Sequence, residues 1–220
     1  MSSNLKKRIA TSIFLISLLI GMSFYSYIMI ISLIIIAIIS WIEFYALISK
    51  IIKKNQLMDK FFRFFYKFLS LFYLSGLVYL ILAIESEYFN LKVYLLYSVL
   101  VAIMSDIGGL VFGKIFKGKK LTKISPNKTI SGSIGSFIFS IFLIPFFYSS
   151  LIDQNLLNII LITIIISLTS QLGDLFISFL KRKARVKDTS DLLPGHGGIL
   201  DRIDGIIFAI PLGIYLFIVI

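Results

Sequence analysis

The chain has 220 residues, 58% of them hydrophobic, and a formal charge of +11. Ordinary soluble domains are roughly 45–50% apolar, so too few polar residues remain here to cover several soluble helices, and a membrane is the solvent that fits. Cysteine is absent, which excludes a disulfide framework, a thiolate metal site and a thiol nucleophile.

A spanning helix takes about 20 mostly apolar residues. Stretches of that character run over Ile9–Met22, Tyr27–Ile48, Phe64–Ile84, Val93–Phe112, Ser133–Tyr148, Leu156–Leu180 and Ile203–Ile220. In lipid, backbone polar groups must be satisfied within the segment, so each is read as a helix despite the strand propensity of isoleucine. The first stretch follows Lys6, Lys7 and Arg8 but has no small-residue cleavage site. It is therefore read as a retained helix, not a signal peptide. The expectation is an all-α, polytopic transmembrane protein of about seven spans, with residues 1–220 forming a single integral-membrane domain.

The basic residues lie in clusters between these spans. Lys50, Lys53, Lys54, Lys60 and Arg63 follow the second, Lys114 to Lys128 the fourth, and Lys181 to Lys187 the sixth. The alternate loops hold Glu85, Glu87 and Asp153, with Lys92 as the basic exception. Such asymmetry places the N-terminus and every basic loop in the cytoplasm. Clusters at span ends suit anionic lipid headgroups, so membrane lipids and not nucleic acid are the expected partners.

Charges inside apolar spans are costly and mark functional candidates. Glu43 stands beside Trp41 and Tyr45 near one end of its span, and reads as an interfacial carboxylate among aromatic anchors. Asp106 lies deeper, in Ser105-Asp106-Ile107-Gly108-Gly109. A structural pair with a lysine and a site role are equally open for it. Gln171, Asp174, Ser178 and Lys181 are spaced three, four and three apart, which puts them on one stripe of one helix. That stripe ends in Lys181, Arg182, Lys183, Arg185 and Lys187, as expected of the wall of a wet cavity.

The segment after it, Lys187 to Asp204, contains Pro194, Gly195, His196, Gly197 and Gly198. Its glycines allow backbone N–H groups to approach phosphate oxygens closely. A helix is expected from about Leu200, with Asp201 and Asp204 sharing a face. Carboxylates without cysteine, and with a single histidine, suit a hard cation such as Mg²⁺. Basic groups, a glycine turn and carboxylates together describe a metal-assisted phosphate site. A phosphate nucleophile needs no general base, so His196 is expected to serve the turn or a phosphate hydrogen bond.

The run Ser178-x-x-Lys181-Arg182-x₄-Lys187-Asp188-x₅-Pro194-Gly195-His196-Gly197-Gly198-x-x-Asp201-Arg202-x-Asp204 resembles the C-terminal signature of the phosphatidate cytidylyltransferases, or CDP-diacylglycerol synthases. Gln171-x-Gly173-Asp174, the stretch Lys123 to Thr129, Asp106 and Gly113-Lys114 extend the similarity over residues 102–207, the expected catalytic portion. Ile107-Gly108-Gly109, Ser131-Gly132 and Asn127 depart from the pattern.

The resemblance implies that CTP and phosphatidate give CDP-diacylglycerol and pyrophosphate, with Mg²⁺ and room for a second cation. It implies Asp174, Ser178, Lys181 and Asp201 as catalytic residues, and Asp174 and Asp201 as metal ligands with Asp204 close by. Arg182, Lys187 and Arg202 would bind or neutralise phosphate oxygens, with Asp106, Lys128, Gly195, His196, Gly197 and Gly198 also at the substrates. The implied location is the plasma (inner) membrane, multi-pass, with the site facing the cytoplasm. A homodimer is suggested by analogy with other helical membrane enzymes. An isoprenoid-lipid cytidylyltransferase or kinase is the nearest alternative; an ion transporter and an inactive scaffold are others.

Overall fold

The computed structural model describes residues 3–53, 56–151 and 154–220. Lys54 and Asp153, two of the loop charges, lie outside the described residues, as do the side chains of Lys6, Lys7 and Arg8. The helices are α1 (Ser3–Phe24), α2 (Ser26–Ile51), α3 (Leu57–Ser86), α4 (Lys92–Phe116), α5 (Ile130–Ile141), α6 (Ile144–Phe147), α7 (Leu156–Lys183), α8 (Leu200–Ile203) and α9 (Ile206–Val219). Among the described residues, strand-like pairing is confined to two isolated bridges, Lys120–Thr129 and Leu193–Gly197. Six helical segments are long and apolar enough to cross a membrane, and α1 adds a shorter apolar stretch, Ala10–Met22. The protein is therefore an all-α, multi-pass membrane protein.

Three of the departures from the sequence reading have a clear local reason. α3 begins at Leu57, a turn and more before the expected Phe64, because Asp59, Lys60 and Arg63 are accommodated at a helix end outside the apolar window. The fifth span is broken: α5 stops at Ile141 and α6 restarts with Pro145 in its first turn, where the missing proline N–H costs nothing. The last span is also interrupted. α8 ends at Ile203, and Asp204 lies in the turn before α9, its Oδ1 accepting from Gly205 N at 3.0 Å. A short carboxylate that bonds the local backbone competes with helix continuation, so Asp204 does not extend the helix that carries Asp201.

The chain forms two compact units, one of residues 1–82 with 180–202 and the other of residues 83–179 with 203–220. In the first, Trp41 of α2 donates from its indole nitrogen to the Lys67 carbonyl of α3 at 3.1 Å. The Lys67 ammonium in turn sits over the Trp41 and Tyr45 rings, 5.1 and 4.4 Å from their centroids. Phe61, Phe64, Phe68 and Phe72 stay exposed along α3, the apolar surface that a lipid-facing helix presents.

The second unit has a dense core of Tyr97, Val101, Ala102, Ile159, Ile162, Ile166 and Ala209. Tyr94 stacks on Phe217 at 4.5 Å. Gly108 and Gly135 let α4 and α5 approach until a Cβ on either would collide with the other's carbonyl, the small-residue packing common between membrane helices. Buried hydroxyls are bonded across helices: Tyr97 with Thr163 at 2.6 Å, Ser136 to the Ser105 carbonyl at 2.6 Å, and Ser167 to Ser105 Oγ at 3.0 Å.

Candidate active site

α7 carries Gln171, Asp174, Ser178 and Lys181. Gln171, Ser178 and Lys181 are buried, whereas Leu172 and Phe176 of the same helix are exposed. The helix closes in a Schellman arrangement, with Arg185 N on the Arg182 carbonyl and Val186 N on the Lys181 carbonyl. Arg185 accordingly takes φ 57°, the left-handed turn that ends many helices. The chain then leaves the helix axis and enters the segment that leads to α8.

That segment is built around one tight turn. His196 N bonds to the Leu193 carbonyl at 2.8 Å, with Pro194 and Gly195 between them and Gly195 at φ 78°. Proline in the first central place and a positive-φ glycine in the second are the requirements of a type II turn. Gly197 follows at φ 83° and pairs in both directions with Leu193. α1 holds the turn from one side: Thr11 donates to the Pro194 carbonyl at 3.1 Å, and Ser12 Oγ lies 3.4 Å from His196 Nε2. Arg202 donates Nε to the His196 carbonyl at 3.0 Å, and a second guanidinium nitrogen reaches the same oxygen. Arg182 and Lys187 are exposed at the surface of the same unit.

Asp201 is the hub of this unit. Its Oδ1 accepts from Lys181 Nζ at 2.6 Å. Its Oδ2 accepts from Thr189 N at 2.8 Å and Gly198 N at 3.0 Å, and lies 2.9 Å from Thr189 Oγ1. The Lys181 and Asp201 side chains keep only 11% and 5% of their accessibility, so this is an ion pair largely withdrawn from water.

Glu43 does not behave as an interfacial carboxylate. It is 4% exposed and takes four donors from the same segment. Oε1 accepts from Ser190 Oγ at 2.6 Å and Ile199 N at 3.1 Å; Oε2 accepts from Thr189 Oγ1 at 2.9 Å and Leu200 N at 2.8 Å. Gly198 is packed so tightly that a Cβ there would meet both Glu43 oxygens and Thr189 Oγ1. The sequence marks Glu43 by its charge inside an apolar span, although the aromatic neighbours favour an anchor reading; Thr189 and Ser190 carry no such signal.

The second unit holds the other cluster. Lys128 pairs with Asp174 Oδ2, and Ser178 Oγ donates to Asp174 Oδ1 at 3.2 Å. Lys128 is delivered by a turn in which Lys128 N bonds to the Ser125 carbonyl at 3.1 Å, with Pro126 as its first central residue. Thr129 then caps α5 by accepting from Gly132 N at 3.0 Å. Below Asp174, Gln171 accepts from Ser133 at 2.6 Å and reaches Ser167 at 3.4 Å. Asp106 lies on the exposed face of α4, and Asp204 is buried in the turn before α9.

Each unit thus pairs a carboxylate on or after α7 with a lysine and a hydroxyl, and one adds a glycine turn. Comparison with known proteins decides the family. The profile of the cytidylyltransferase family matches residues 1–220. This chain belongs to the cytidylyltransferase family. A protein of Staphylococcus haemolyticus named phosphatidate cytidylyltransferase is 48% identical over 123 residues, 54% of this chain and 46% of that protein. Proteins of the same name from Staphylococcus aureus and Staphylococcus epidermidis are 46% and 43% identical over 122 residues. The chain spans about half the length of the relatives it matches.

Proposed function

We propose that this member of the family is a CTP:phosphatidate cytidylyltransferase. A phosphate oxygen of phosphatidate attacks the α-phosphorus of CTP, the bond to the β-phosphate breaks, and CDP-diacylglycerol and pyrophosphate result. Phosphoryl chemistry of this kind is mostly positioning and charge stabilisation. The observation that carries the reading is the bonding of Asp201, a nearly buried carboxylate fixed by Lys181, Thr189 and the amide of Gly198 within a glycine turn. The names of the relatives support the choice of substrates.

The residues suit Mg²⁺ by their donor chemistry, which is carboxylate and hydroxyl oxygen. Among the described residues no group of three or more acidic or histidine side chains gathers. Mg²⁺ commonly takes one or two carboxylates and completes its shell with water and substrate phosphates. Asp174, about a quarter exposed and already beside the Lys128 ammonium, is the more accessible ligand. The family resemblance implies Asp201 as a ligand as well. The metal would offset the negative charge of the phosphates. Lys181 and Ser178 would contact phosphate oxygens, with Arg182 and Lys187 gathering the polyphosphate at the surface.

The basic loops support a site on the cytoplasmic face of the plasma membrane. The lipid tails would then remain in the bilayer while CTP enters from solution. An isoprenoid-lipid cytidylyltransferase would use the same phosphate groups and differ in its apolar contacts. The two are separated by offering purified protein equal amounts of phosphatidate and a polyprenyl phosphate with CTP and Mg²⁺. Cytidylylation of phosphatidate at least tenfold faster supports the proposal; preference for the polyprenyl phosphate overturns it.

A further inference from the structure

We propose that Glu43 is a positioning residue for catalysis, setting the geometry of the segment 188–200 and, through Thr189, of Asp201; this rests on the function proposed above. Three observations converge on it. Glu43 is a carboxylate buried in an apolar helix, where it is retained only if fully bonded. Its four donors come from both ends of one segment, Thr189 and Ser190 at the start, Ile199 and Leu200 at the finish. One side chain of α2 therefore closes the loop that contains the glycine turn.

The third observation is the shared hydroxyl. Thr189 Oγ1 lies 2.9 Å from Glu43 Oε2 and 2.9 Å from Asp201 Oδ2. A threonine hydroxyl has one proton to donate, so its orientation couples the two carboxylates. Thr189 N also holds Asp201 Oδ2 at 2.8 Å, and Gly198, on the other side of Asp201, is packed against Glu43. Moving Glu43 shifts both groups that fix this oxygen. Glu43 has no place against the substrates in this scheme; it acts through Thr189 and Gly198.

Glu43→Gln separates positioning from bulk stability. The amide keeps the shape but presents an NH₂ where two donors now bond. Three quantities are measured in detergent: turnover per folded molecule, amide hydrogen exchange along the chain, and the effect of Thr189→Val alone and combined with Glu43→Gln. The expected results are a fall in turnover of ~30–100-fold, the scale of small misplacements near reacting groups, and faster exchange confined to 188–200. The double variant should lose no more than the worse single one, because both break the same linkage. Turnover within ~3-fold of the parent, unchanged exchange in 188–200 despite lost turnover, or multiplied losses in the double variant each overturn the proposal.

If Glu43→Gln does not fold, Ser190→Ala removes one donor and leaves the carboxylate. It should show the same local exchange with a loss of ~3–10-fold, and unaltered exchange and turnover there count against the role. The exchange measurement needs no activity. A parent protein with no cytidylyltransferase activity would sink the functional reading alone, and the exchange result would still decide the link between Glu43 and the segment.

Discussion

Lys181 Nζ donates to Asp201 Oδ1 at 2.6 Å, joining the last turn of α7 to α8 in a pair that keeps little exposure to water. Breaking such a pair from one side leaves an uncompensated buried charge, at a cost of about 3–5 kcal/mol. Lys181→Met should therefore lower stability by about that amount and abolish turnover. Asp201→Asn breaks the same pair from the other side and leaves the Lys181 ammonium uncompensated, so it should cost a similar ~3–5 kcal/mol. It keeps the side-chain volume, should leave the protein inserted, and should reduce turnover at least 100-fold. Detergent unfolding and single-turnover assays check both. Near-normal turnover in Asp201→Asn would remove that residue from the site.

The Lys128–Asp174 pair predicts the opposite balance. Both side chains keep about a quarter of their accessibility, so the pair contributes only ~0–1 kcal/mol. Asp174→Asn and Lys128→Ala should each unfold close to the parent midpoint. Turnover should nevertheless vanish in the first and fall at least tenfold in the second. A stability loss above ~2 kcal/mol in either would mean that the pair is structural after all.

Mg²⁺ removal should act on chemistry and not on fold. Lysines already neutralise both carboxylates, Lys128 at Asp174 and Lys181 at Asp201. With EDTA, turnover should cease while helical content and unfolding midpoint stay constant, and added Mg²⁺ should restore it. Circular dichroism beside the assay is sufficient.

The glycine turn gives a graded pair of substitutions. Gly195→Ala forces a Cβ into φ 78°, at about 1–2 kcal/mol. Gly198→Ala drives a Cβ into Glu43 and Thr189, and so disturbs the groups that hold Asp201. Gly198→Ala should lose turnover at least tenfold more than Gly195→Ala. Equal losses would argue that turn strain, and not the approach to Glu43, sets activity.

Most of the helices were legible in the sequence because lipid leaves the backbone no other choice. What escaped were interruptions set by single residues, Pro145 in the fifth span and Asp204 before α9. The stripe from Gln171 to Lys181 followed from helical spacing alone, and three of its four members are buried. Glu43 was misread because a carboxylate near Trp41 and Tyr45 resembles an interfacial anchor. Its partner residues include Thr189 and Leu200, 146 and 157 positions away, a separation that no local pattern reports. The aromatic neighbours proved to be tied to Lys67 of α3.

In the proposed reaction the lipid phosphate attacks the α-phosphorus of CTP. Purified protein given phosphatidate, Mg²⁺ and CTP labelled at the α-phosphate tests it most directly. The proposed reaction leaves label in a lipid that co-migrates with CDP-diacylglycerol, with an equal molar yield of pyrophosphate. Label confined to soluble products, or lipid labelled only when CTP carries its label at the γ-phosphate, would contradict it.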